Sequence, residues 1–445
     1  MTKALTVHSA GVADVKKEIS KKTLLLLLAG IFILALLLRG LAFMRFKDDM
    51  SLTGDARNYY LMSHQLADTG VYGYWYDGNP YGGSPGVSNA RVTPGYPLFL
   101  TAVYAIINDP YLHITAVRLI QAVLGSLSAL LGFIFVKRLF KNDWMGLFTA
   151  LLIAVYPPYI FSATLLLTEV TGLFTLLLYF CMAIIAFQSG KKLHHFLAGG
   201  AFGIHVLIRP ALLPLFIIPY IYLLLVLRHQ RKHPDGPQTL DLKRIAGMFL
   251  LQLFGLVLVM APWWIRNVVS LGSLILTAKG DGNALLGGTY PYWQDYFKDI
   301  PESIKGVNDA QREWGINRII KGFTTDFWLY FKWFTFGKIS YTFSKPYLSY
   351  LVPDLKIIMG LIHNGVLYSG LAGMIWHSVR QVKGLGFYFY GLIILGLQLL
   401  FIPDPRYAYL LMFFLMVGSA YFAERLLSWL ISRFTKKRKV KAGAA

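Results

Sequence analysis

Acidic side chains are scarce in this 445-residue chain, with 22 Asp and Glu against 43 Lys and Arg. Charged residues of both signs make up only 15% of it, well below the ~25% of an average soluble protein. There is one cysteine, Cys181, which rules out an intrachain disulfide and leaves the loops to be held by packing. No GxxxxGK[ST] loop is present to cradle a nucleotide. No HExxH, GxSxG or paired-cysteine pattern offers a zinc protease, a serine hydrolase or a structural metal site. No internal repeat at a solenoid period is found either.

What the chain does have is hydrocarbon. Its residues are 56% hydrophobic and its mean hydropathy is +0.52. A membrane-crossing helix needs ~20 mostly apolar residues. About ten stretches qualify: 23–43, 112–136, 143–160, 164–187, 196–208, 211–227, 245–265, 355–377, 385–403 and 407–431. The expected fold is all-α, a polytopic bundle of about ten spans, within a range of 9–12, forming a single domain over 1–445. Two long external loops, 44–111 and 267–353, carry juxtamembrane helices, and 432–445 is a basic cytoplasmic tail. The apolar run Gly95–Ile107 is short for a span and reads as interfacial or re-entrant. Arg209-Pro210 marks a break between two spans, because proline disfavours a helical residue before it.

The net charge of +21 does not point to nucleic acid. The basic residues cluster in alternate short loops, at Lys16, Lys17, Lys21 and Lys22, at Lys137, Arg138 and Lys141, Lys191 and Lys192, Arg228, Arg231 and Lys232, and Arg380 and Lys383. They recur in the tail at Lys436, Lys437, Arg438, Lys439 and Lys441. With the N-terminus inside, all these loops are cytoplasmic, as the positive-inside rule requires. The first span is too long for a signal h-region, and no small-x-small site follows it, so it is expected to remain as an anchor.

The acids that remain are informative, since ionisable groups at membrane depth are costly and mark function by default. Asp55 follows the first span and Glu169 opens the fourth. Both are assigned to the external face, where two carboxylates could divide catalytic work or share a divalent cation such as Mg or Mn. Asp55 could equally be the N-cap of the following helix, and Glu169 could simply complement a helix dipole. Basic partners fall on the same face: Arg91, Arg209, Arg266, Lys279 beside Asp281, and Arg406 next to Tyr407. Arginine matches phosphate through paired hydrogen bonds, whereas a lone arginine can be a snorkelling anchor. Tyr59, Tyr60 and His64 line the helix after Asp55. The Gly- and Tyr-rich run Gly70–Gly83 suits either an aromatic belt or sugar stacking.

These pieces, taken in order, resemble the GT-C superfamily of membrane glycosyltransferases, in particular its lipid A aminoarabinose transferase and protein O-mannosyltransferase branches. The resemblance rests on Gly54-Asp-Ala-x-x-Tyr-Tyr60, Thr93-Pro-Gly-Tyr-Pro-Leu-Phe99, Leu167-Thr-Glu169, Ile208-Arg-Pro210, Ala261-Pro-Trp-Trp-Ile-Arg-Asn267 and Asp404-Pro-Arg-Tyr407. It departs from the family in having Glu169 where many relatives carry aspartate, and no second acid beside Asp55. It also lacks a large C-terminal soluble domain, which disfavours an oligosaccharyltransferase. The resemblance implies transfer of one sugar from a polyprenyl-phosphate donor to a lipid, glycan or protein acceptor outside a bacterial plasma membrane. It implies Asp55 as base with Glu169 beside it, and Arg406, Arg209, Tyr407 and Lys279 on the donor phosphate. Tyr59, Tyr60, His64, Arg91 and Asp281 would contact substrate, and surrounding membrane lipids are the other expected partners. A transporter or flippase is the competing class; it would fit Pro- and Gly-interrupted spans but finds neither inverted symmetry nor acids deep in a span.

Overall fold

Long apolar segments in lipid have one economical solution, the α-helix, because it satisfies its own backbone hydrogen bonds. The computed structural model follows that rule. It describes residues 19–47, 52–75, 83–107, 109–232, 240–294 and 299–442, with side chains up to 433. Residues 76–82 of the aromatic run, Lys16 and Lys17, and the side chains of the Lys436–Lys441 tail lie outside the described residues. Among those described there is no β-strand.

The chain runs through α1 (Lys21–Phe46), α2 (Gly54–Thr69), α3 (Gly95–Ile106), α4 (Pro110–Phe140), α5 (Asp143–Val155), α6 (Pro157–Phe161), α7 (Glu169–Ser189), α8 (Lys192–Ile208) and α9 (Ile218–Lys232). It continues through α10 (Leu242–Leu271), α11 (Gly282–Gly288), α12 (Asn308–Thr325), α13 (Phe327–Lys332), α14 (Lys338–Phe343), α15 (Lys356–Arg380), α16 (Val382–Gln398) and α17 (Ala408–Ala442). Among the described residues, seven helical segments are long and apolar enough to cross a membrane, or eight if the bent pair 143–155 and 157–164 is one span. The expected figure of about ten also counts α8 and α16, apolar helices of 17 residues each, at the lower limit of the ~17–25 residues that can cross a hydrocarbon core. The run at 95–107 forms the 12-residue α3, which packs on α2, α4 and α8 rather than standing as a span.

The 60° bend after α5 has a covalent cause. The carbonyls of Ile153 and Ala154 would ordinarily accept from the amides of residues 157 and 158, and both are prolines without an N–H. Arg39 of α1 supplies the missing donors. It is buried (1% exposed), and its Nη2 donates to Ile153 O at 3.2 Å and its Nη1 to Ala154 O at 3.3 Å. Gly125 of α4 leaves room for it, since a Cβ there would come within 2.6 Å of Arg39 Nε. A charge that looks misplaced in a leader-like helix thus completes a broken one.

Helices alternate between two ends of the bundle. One end gathers the basic turns, where Lys137 pairs with Asp143 at 2.8 Å and Arg138 donates to Gln188 at 3.2 Å. The other end gathers the starts of α2, α7 and α17 and the end of α8. α15 with α17, α8 with α10 and α7 with α8 form the principal packing seams.

Candidate functional site

Four helix termini meet at that second end. α2 begins at Gly54, whose φ of +53° is a left-handed conformation natural to glycine, and this puts Asp55 in the first turn of the helix. Thr53, not Asp55, occupies the N-cap position, without a side-chain capping hydrogen bond, and Asp55 lies within the first turn. Glu169 is the first residue of α7, where the helix dipole favours an anion. Gln121 of α4 fixes the approach to it: its Nε2 donates to Ala163 O at 3.1 Å and Leu165 O at 2.8 Å, and its Oε1 accepts from the Tyr96 hydroxyl at 2.9 Å. Asp404 closes the turn before α17 by accepting from the Arg406 amide at 2.7 Å.

These termini bring Asp55, Glu169, Arg209 and Arg406 into one network. Arg406 Nη1 donates to Asp55 Oδ2 at 2.6 Å. Its Nε donates to Glu169 Oε1, and its Nη2 lies 3.5 Å from Glu169 Oε2. Arg209 Nη2 donates to the same Glu169 Oε1 at 2.8 Å, and Gly172 on α7 makes space for the Arg209 chain, with a built Cβ only 3.1 Å from its Cγ. The formal charges cancel. The two carboxylates differ sharply in exposure, with the Glu169 side chain at 0% and that of Asp55 at 47%. Glu169 is the buried counter-ion of two arginines, while Asp55 faces outward from the network.

Tyrosines surround the acids. Tyr59, one turn beyond Asp55, packs edge-on against Tyr74 and Tyr96 at 6.5 and 5.2 Å; burial, then the Asp55 charge, pushes its phenol well above the usual range. Burial, then Glu169, does the same to Tyr347. Tyr407 follows Arg406 in the turn that leads into α17. Tyr347 was not foreseen, because the 338–352 segment has no sequence feature tying it to Glu169.

The other expected residues sit elsewhere. Tyr60 and His64 join Tyr104 and His113 in a ring cluster, with the His64 and Tyr104 centroids 4.6 Å apart. Burial, reinforced by His113 and opposed by Asp68, holds His64 below the usual histidine range. Arg91 donates to Gly306 O at 3.4 Å, and the Lys279 amide donates to Ala90 O at 2.7 Å, so both lie at the seam between the two long loops. Asp281 is held by both Nε and Nη2 of Arg312, at 3.2 and 2.6 Å. Arg266 pins the first loop to α10, donating to Asn89 O and Ser88 Oγ at 2.9 and 2.6 Å. Lys338, fully buried, donates to Leu399 O at 2.6 Å and lies over the Phe334 ring; burial pushes it down to about 7.

A divalent cation needs several oxygens converging on one point. Asp55 and Glu169 instead converge on the Arg406 guanidinium, and no group of three His, Cys, Asp or Glu side chains gathers among the described residues. The pair as arranged does not fit a metal.

The comparisons agree with the architecture. Residues 91–265 match the family model described as dolichyl-phosphate-mannose-protein mannosyltransferase. No curated protein matches the chain. Its fold is similar to that of the oligosaccharyltransferase AglB from Archaeoglobus fulgidus solved with an inhibitory peptide and a dolichol-phosphate (TM-score 0.56, 16% identity, 94% of this chain and 52% of that one). The apo form of the Archaeoglobus fulgidus oligosaccharyltransferase gives TM-score 0.57 at 15% identity over 95% and 52% of the two chains. Its complex with Zn and sulfate gives 0.54 at 14% over 93% and 51%. The chain spans about half the length of the archaeal proteins it matches. The central segment of this chain thus matches a mannosyltransferase family model, and the helical bundle as a whole shares the fold of the archaeal oligosaccharyltransferases.

Proposed function

We propose that the protein transfers a single sugar from a polyprenyl-phosphate donor to an acceptor hydroxyl at the membrane face bearing Asp55. We read that face as the outer one of a bacterial plasma membrane, because the basic turns lie at the opposite end. The observation carrying this reading is the half-exposed Asp55 carboxylate held by Arg406, which is itself anchored on the buried Glu169. Arg406 occupies Oδ2 and leaves Asp55 Oδ1 to take a proton.

In the proposed step the acceptor oxygen attacks the anomeric carbon while its proton passes to Asp55. The bond from that carbon to the phosphate oxygen breaks, and polyprenyl phosphate leaves with the electron pair. Arginine donors stabilise the charge developing there. Arg209 is the better placed of the two, because Arg406 has all three nitrogens engaged with carboxylates and Arg209 only Nη2. Tyr407 stands beside both. Glu169 acts through these arginines as a positioning residue. The acceptor is a lipid, glycan or protein, and the archaeal oligosaccharyltransferase, solved with a peptide and a dolichol-phosphate, offers the precedent for a lipid-phosphate and an acceptor sharing one such fold.

The test is purified protein reconstituted with a panel of polyprenyl-phosphate sugars, following release of polyprenyl phosphate and acceptor labelling. Turnover with at least one donor that is lost in Asp55→Asn supports the proposal. No acceptor-dependent release with any donor, from protein shown to be folded, overturns it.

A further inference from the structure

The opposite, basic end of the bundle holds a cavity of about 2470 Å³. Its walls are hydrocarbon and rings, with Leu24 and Leu28 of α1, Phe180 and Phe187 of α7, and Phe387 and Tyr390 of α16 among them. Five cations line it, namely Lys21, Lys137, Arg138, Lys141 and Lys383, against two carboxylates, Asp143 and Glu424. Asp143 is already paired with Lys137. Arg138 is bound to Gln188. Lys141 and Lys383 act on one another as like charges, and neither has an acidic partner among the described residues. The Glu424 Oε2 is buried without a partner.

Topology alone explains why lysines collect at this end. It does not explain why two of them repel each other beside an apolar hole. Lys141 also sits at φ 55° as the C-cap of α4, a left-handed position where glycine or asparagine is usual. The side walls of the cavity are open to lipid. α1 packs on α4 and α5, and α16 on α15 and α17. Leu25 of α1 and Phe389 of α16, both lining residues, are 68% and 56% exposed.

We propose that this cavity is a binding site for an acidic membrane phospholipid, separate from the transfer site at the other end. The phosphate would sit between Lys141 and Lys383, relieving their repulsion, and the acyl chains would lie against Phe180, Phe187 and Phe387. The charge balance of the wall selects the class: an anionic headgroup is matched and a zwitterionic one is not.

The test is native mass spectrometry of the full-length detergent-purified protein with phosphatidylglycerol or phosphatidylcholine of equal chain length. A photo-crosslinking residue at Tyr222, which lines the cavity, reports the occupant. The expected result is at least tenfold preferred retention of phosphatidylglycerol, crosslinked from position 222, and loss of that preference in the double variant Lys141→Gln/Lys383→Gln. Ala423→Trp, which adds bulk to the cavity wall without removing a charge, should weaken the crosslink. Equal retention of the two lipids would overturn the proposal. So would displacement of phosphatidylglycerol by polyprenyl phosphate, or a crosslink to this chain's own residues 1–18 in place of lipid. None of these readouts depends on transfer activity.

Discussion

Arg406 and Asp55 are 351 residues apart in sequence and 2.6 Å apart in space. That contact joins the start of α2 to the start of α17, and so fixes where a carboxylate can meet a substrate relative to the rest of the bundle. Through Arg406 the position of Asp55 also depends on Glu169, a residue no substrate needs to touch.

The two acids should therefore fail differently. Asp55→Asn should lower turnover by ~10²–10⁴, the usual worth of a general base, with little change in thermal stability. Glu169→Gln should lower both, because it leaves Arg209 without its counter-charge and Arg406 with Asp55 alone, at roughly 3–5 kcal/mol for a broken buried pair. Turnover and melting temperature of the two purified variants separate these cases; equal destabilisation by both would remove the base assignment.

Arg209→Lys should weaken donor binding while leaving the Asp55–Arg406 contact in place, since lysine keeps the charge but not the planar fork. Arg406→Ala should misplace Asp55 and lower turnover more than affinity. Equilibrium binding of a polyprenyl-phosphate sugar, set against kcat, distinguishes them. Because Arg406 lies between the two carboxylates, wild-type transfer should withstand chelation, and only the Arg406→Ala variant should respond to added Mn or Mg.

Arg39→Met should destabilise the protein, since buried carbonyls lose their donors at ~1–3 kcal/mol. Adding Pro157→Ala returns an amide to Ile153 O, and the double variant should recover part of the loss. A double-mutant cycle in thermal stability measures the coupling; strict additivity would mean that Arg39 does not act through the break.

The depressed His64 gives the protein an acid-side weakness. The unfolded chain takes up a proton near pH ~6.5, whereas the folded chain does so only at lower pH. Stability from this group is intact above ~6.5 and falls as pH drops toward the folded value. His64→Phe keeps the stack on Tyr104 and should flatten the decline in melting temperature between pH 7 and 5.

Orientation can be measured directly. A cysteine at Ser303, in the Cys181→Ser background, should react with an impermeant maleimide in intact cells, and one at Ser189 should not. The reverse pattern would turn the bundle over and move the proposed site to the cytoplasm.

The helices were legible because runs of ~20 apolar residues have few alternatives, and α1, α4, α7, α10 and α17 lie where composition puts them. The bend after α5 was readable in Pro157-Pro158, but its partner was not, since nothing in the sequence of α1 ties Arg39 to those carbonyls. Asp55, Glu169, Arg209 and Arg406 were each visible as a costly charge near a helix end. Their pairing was not, because it depends on which termini the bundle gathers, and side-chain chemistry alone could not show that Arg312 takes Asp281 or that Arg266 spans the first loop.

The Arg39 arrangement also bears on biogenesis. α1 emerges from the ribosome well before α5, carrying a guanidinium whose later partners do not yet exist. On the translocon scale an arginine costs about +2.5–3.5 kcal/mol at a helix centre and less toward the end, where Arg39 lies, and the leucines around it must outweigh that cost while α1 waits. Although α1 is the most apolar of the candidate spans, its arginine finds its partners only when a proline-broken helix, synthesised more than a hundred residues later, arrives with two carbonyls to fill.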